Sequence, residues 1–119
     1  MGRDYTKIKA WQIADKLALL VYKSTKKFPK SEVWGLTSQM RRAAVSVPAN
    51  IVEGSARKNR NEYLQFLYIA ISSLAELNYY IRFTKELGYS DTNEYERTMD
   101  KRSGEFKDTP RANFLHRKV

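Results

Sequence analysis

The residues of this 119-residue chain best suited to chemistry are its arginines and lysines. Arg41 and Arg42 stand side by side, and Arg57, Lys58 and Arg60 follow in a polar run. Lys9, Lys16, Lys23 and Lys30 recur every seven residues, which places them on one helical face, and Lys26 and Lys27 widen its end. Cations grouped in this way mark a polyanion-binding surface, where most of the affinity comes from neutralising phosphates. A solvated bundle face also carries lysine, and for the heptad stripe alone that is the simpler reading. Arg41, Arg42, Arg57, Lys58 and Arg60 are therefore the first candidates for nucleic-acid contact, with Lys16, Lys23 and Lys27 second. Aromatic residues are plentiful, but most fall in core-like stripes, so stacking on bases ranks below phosphate contact.

A second constellation lies along one flank of the same segment. At about 100° per residue, Gln39, Arg42, Ser46, Asn50 and Glu53 align beside an apolar stripe. Such groups could hold a ligand or a phosphate. The structural reading is preferred: they bond to one another, to backbone freed by Pro48, or across a subunit boundary, because no nucleophile–base pair accompanies them. Enzyme signatures are otherwise missing. There is no cysteine, the five glycines are isolated, and the one histidine, His116, sits in an aperiodic tail. The expectation is a protein that is not an enzyme, with no cofactor and no metal.

Charge is distributed unevenly. The formal net charge is +9, and all of that excess lies in residues 1–60; the rest of the chain is balanced. Hydrophobic residues make up 42% and charged residues 29%, as in an ordinary globular domain. No apolar run approaches the roughly 20 residues of a membrane span, and no signal peptide precedes the first helix. The Met1–Thr6 run fits the loose myristoylation pattern as a chance match. The expected location is cytoplasmic.

The elements that must position these residues are helical. Ile8, Trp11, Ala14, Leu17, Ala18, Val21 and Tyr22 mark a first helix over about 6–28, closed by Phe28-Pro29. Leu36, Met40, Ala43, Ala44, Val47 and Ile51 mark a second over 36–56, which runs through Pro48 without changing phase and so should kink rather than break. Asn59 and Glu62 begin a third over 60–87, which Gly88 stops. Its core stripe is Tyr63, Leu67, Ala70, Leu74, Leu77 and Ile81. A second apolar set, Tyr68, Ile69, Tyr79 and Phe83, falls on the opposite side, where a small bundle cannot cover it. These four are the candidate homo-oligomer interface. Asp91 and Glu94 open a weaker fourth helix over 91–103, followed by an irregular tail over 104–119. The fold class is an all-α, antiparallel up-down-up-down four-helix bundle in a single domain, with the fourth helix short or irregular.

The run from Phe28 to Gly54, FPKSEVWGLTSQMRRAAVSVPANIVEG, together with Phe66–Ala70 and Ser73–Leu77, resembles the 23S-rRNA intervening-sequence proteins, also called "S23 ribosomal" proteins. The resemblance spans about Trp11 to Tyr89. It implies an up-down-up-down bundle assembled as a pentameric ring, in a bacterial family encoded within inserted segments of large-subunit rRNA genes or standing alone. A relative, the accessory variability determinant of diversity-generating retroelements, is a basic pentamer that works with a reverse transcriptase and nucleic acid. No catalytic residues come with the family. The sequence departs from the family pattern after Gly104, where the apolar stripe of the fourth helix stops.

The residues and the resemblance together lead to one expectation. It is a non-enzymatic, oligomeric, basic bundle that binds RNA or DNA through backbone phosphates. The alternative is an oligomeric scaffold for a partner protein, with no nucleic-acid role.

Overall fold

In a computed structural model, residues 2–91, 93, 95 and 96 are described. All regular structure among them is helical. Three α-helices, α1 (Lys9–Ser24), α2 (Leu36–Ser55) and α3 (Arg60–Glu86), are supplemented by short 3-10 turns at Tyr5–Lys7, Thr25–Lys27 and Lys30–Glu32. The first helix is thus shorter than its apolar spacing suggests. Asp4 caps the leading 3-10 turn by accepting the Thr6 amide at 3.0 Å, whereas α1 itself starts without a side-chain cap. Past the third helix, the Asp91 carboxylate accepts the Asn93 amide at 2.8 Å, and Asn93, Tyr95 and Glu96 are helical. The rest of the expected fourth helix, the 104–119 tail and His116 lie outside the described residues.

The middle helix organises the packing. α2 lies against both α1 and α3 and presents Met40, Ala43, Ala44, Val47 and Ile51 to them, all buried. From α1 come Ile13, Leu17 and Val21; from α3, Ala70, Leu74 and Leu77; and Tyr95 closes the cluster. Burying each aliphatic side chain of this size contributes about 1.5–3 kcal/mol. Small residues on α2 let its neighbours approach closely. A Cβ added at Gly54 would lie 2.7 Å from the Phe66 Cβ and 3.1 Å from Tyr63 Cδ1, so the end of α2 meets α3 almost backbone to backbone. The helix continues through Pro48, as its unbroken stripe implies.

The helix ends follow from local chemistry. Asn59 accepts the amides of Asn61 and Glu62 at 2.7 and 3.3 Å and starts α3. At the other end Gly88, at φ 78°, lets the chain turn back. Its amide donates to Lys85 O and that of Tyr89 to Thr84 O, both at 2.9 Å, in a Schellman stop.

Candidate nucleic-acid interface

The basic residues fall into two groups rather than one. Arg41 and Arg42 belong to the second turn of α2, while Arg57, Lys58 and Arg60 lie beyond its far end. At 1.5 Å of rise per residue the groups are about 20 Å apart along the helix axis.

In the connector, Arg57 is partly engaged. Its Nη2 lies 3.5 Å from Glu53 Oε2 and its Cζ sits 4.8 Å over the Phe66 ring. Lys58 and Arg60 are exposed and pair with no carboxylate among the described residues. A further arginine joins them. The Arg3 amide donates to Ser55 O at 2.8 Å, its Nη1 donates to Arg57 O at 3.1 Å, and its Cζ lies 4.0 Å over the Tyr63 ring. Arg3 escaped the sequence reading because it precedes every periodic segment; only its sign could have singled it out.

At the other end the two neighbouring arginines differ. Arg41 is half-buried: its Nε donates to Thr25 Oγ1 at 2.7 Å, its Nη2 donates to Tyr22 O at 3.1 Å, and its Cζ is 4.7 Å over the Tyr22 ring. It therefore satisfies a carbonyl at the C-terminal end of α1, where the helix dipole favours a cation. Arg42, one residue on, is exposed and makes no ion pair among the described residues. Both line a groove of about 650 Å³ with Tyr22, Val33, Ser38 and Val45. Thr37 also borders it, and its buried hydroxyl has no hydrogen-bond partner among the described residues. Lys16, Lys23 and Lys27 are exposed on the outer side of α1 and the turn after it.

The polar seam divides. Ser46 Oγ and Ser73 Oγ are 2.7 Å apart across the α2–α3 contact, and Asn50 Nδ2 donates to Ser46 O at 2.7 Å and to Ser46 Oγ at 3.0 Å. These groups satisfy one another where burial would penalise unmet polar atoms. Gln39 and Glu53 are exposed, the latter facing Arg57.

The second apolar set on α3 lies outside the core. Tyr68 is 66% exposed, Tyr79 51%, and Ile69 and Phe83 are exposed beside them. Tyr79 stacks on Phe83 with ring centroids 5.8 Å apart, and Arg82 lies 5.3 Å over the Tyr79 ring. Elsewhere, Trp11, Leu19, Tyr22, Val45, Pro48 and Val52 line an apolar groove of about 440 Å³ between α1 and α2. Trp11 and Tyr22 carry the periodicity of a core stripe, but they occupy its edge and border this groove instead. Trp34, in the connection before α2, is almost wholly exposed. The groove's lining recurs at helical spacing on both helices, but spacing alone does not show that the two stripes meet, and Trp34 has no periodic signal in the sequence.

Compared with known protein families, residues 6–105 match the 23S rRNA-intervening sequence protein. The chain belongs to that family. A search of curated proteins returned no match. The family match and the three helices agree with the expectation drawn from the Phe28–Gly54 run, and the matched region ends just after Gly104, where the helical apolar pattern also stops. Among the described residues, no helix is long and apolar enough to cross a membrane and no cluster of metal-ligating side chains occurs.

Proposed function

We propose that this member of the 23S rRNA-intervening sequence protein family is a non-enzymatic, cytoplasmic homo-oligomer that binds RNA or DNA through backbone phosphates. The observation that carries this reading is a set of uncompensated cations. Arg42, Lys58, Arg60, Lys16, Lys23 and Lys27 are exposed, and none pairs with a carboxylate among the described residues. Cations left in water without partners are available for counterion release on phosphate binding. Arg57 and Arg3 extend the connector group.

Assembly is supported by two distinct apolar surfaces, the Tyr68–Tyr79–Phe83 ridge of α3 and the α1/α2 groove. A contact between unlike surfaces is heterologous, and heterologous contacts close into rings when their rotation permits. Five copies is the number that the family resemblance implies for such a ring. Each added copy brings another +9 and strengthens the positive potential.

Salt titration tests the proposal. Retention of rRNA fragments or single-stranded DNA at low salt should weaken steeply as salt rises. Absence of retention at low salt would leave the scaffold reading, which the exposed Trp34 and the apolar groove favour as partner-protein contacts.

A further inference from the structure

Arg41 is not a freely swinging phosphate clamp. Hydrogen bonds from Nε to Thr25 Oγ1 and from Nη2 to Tyr22 O, with the Tyr22 ring beneath, fix the plane of its guanidinium. That fixed plane borders the 650 Å³ groove, whose remaining walls are of two kinds. Val33 and Val45 are apolar; Arg42, Thr37, Ser38 and Ser46 are polar, and Arg42 makes no ion pair among the described residues. An inorganic anion would leave the valine walls unused. A purely apolar ligand would leave Arg42 without a counter-charge. An unpaired nucleotide carries both a flat heteroaromatic base and an anionic phosphodiester, and a groove of this volume lies within the range that small ligands occupy.

We propose that the groove holds one nucleotide of a single strand, its base stacked on the Arg41 guanidinium backed by Tyr22 and its phosphate on Arg42. Stacking on a cation or ring tolerates any base, because every base presents a π face. In a duplex the bases face one another, so only phosphates would reach the site. The groove therefore prefers single-stranded RNA or DNA to duplex, a refinement that rests on the polyanion reading above. It also changes the role of Arg41 from phosphate contact to stacking platform.

The test uses the full chain at low salt with three probes: a single strand of about 20 nucleotides carrying 2-aminopurine, a strand of equal phosphate number with abasic sites, and the corresponding duplex. The base-bearing strand should bind more tightly than the abasic strand by roughly five-fold or more, the worth of one stacked base. It should also exceed the duplex, and its 2-aminopurine emission should change on binding. Arg41→Lys, which keeps the charge and loses the plane, should abolish the advantage over the abasic strand, while Arg42→Gln should weaken both strands alike. Equal affinity for the two single strands, or unchanged emission, overturns the inference while leaving phosphate binding intact. An advantage that survives Arg41→Lys overturns the stacking assignment. Failure of every probe to bind at low salt removes the polyanion reading itself. Should Arg41→Lys unfold because α1 loses a carbonyl partner, the comparison of strands on the unsubstituted protein still decides.

Discussion

The Glu32 carboxylate bridges two parts of the chain. Its Oε1 accepts the Leu36 amide at 3.2 Å at the start of α2, and its Oε2 accepts the Tyr89 hydroxyl at 3.0 Å from beyond α3. That hydrogen bond, with some desolvation and the charge of Glu32, raises the Tyr89 phenol above its ordinary value of 10.0. A phenol whose pKa rises on folding stabilises the fold below its unfolded pKa, and that contribution is lost as pH climbs through the raised value. Through this group stability should therefore be independent of pH around neutrality, where the hydrogen bond is fully present, and fall above pH 10, as tyrosinate forms beside the carboxylate. Thermal melts across that range, compared with Tyr89→Phe, should show the alkaline loss shrink in the variant. Gly54 supplies a second test. Its Gly54→Ala variant gains helix propensity of about 1 kcal/mol, but the new Cβ meets Phe66 Cβ at 2.7 Å, and this neighbour is no flexible chain end. Overpacking should win, with a net loss of about 1–2 kcal/mol in urea unfolding. The two differ in legibility: Glu32 and Tyr89 are 57 positions apart, with no local signal for their pairing, whereas Gly54 continues the small-residue stripe of α2, from which close approach of a neighbouring helix can be read.

Elements were far more legible than pairs. The start and stop of α3 could be read from Asn59 and Gly88 because caps and left-handed stops depend on a residue and its immediate neighbours. Two substitutions separate those local causes. Asn59→Ala removes an acceptor for two amides and should cost about 1 kcal/mol. Gly88→Ala meets no atom within 4 Å, so only its positive φ opposes it, and the cost should be about 1–2 kcal/mol. Denaturant midpoints at unchanged slope would show both. The ends of α1 were harder, because apolar spacing does not distinguish an α-turn from the 3-10 turns at Tyr5–Lys7 and Thr25–Lys27. The candidate site was legible only in part. Charge identified Arg41 and Arg42 as a pair, whereas their different roles depend on the end of α1 lying beside them.

The whole molecule carries both an apolar ridge on α3 and exposed cations. The ridge needed only the count of faces on one long helix, so it could be read from spacing; the α1/α2 groove depends on how two helices meet and could not. Tyr79→Asp, at an exposed position outside the core, should leave the fold intact and shift sedimentation from an assembly to the monomer. Phosphate binding by the exposed cations is read from the salt dependence of binding a single-stranded RNA. For the unsubstituted protein, log K should fall linearly with log salt, and in the Arg42→Gln/Lys58→Gln/Arg60→Gln variant the slope should flatten by about 0.7 for each cation that had touched a phosphate. An identical slope in protein and variant would mean that these cations do not touch phosphate.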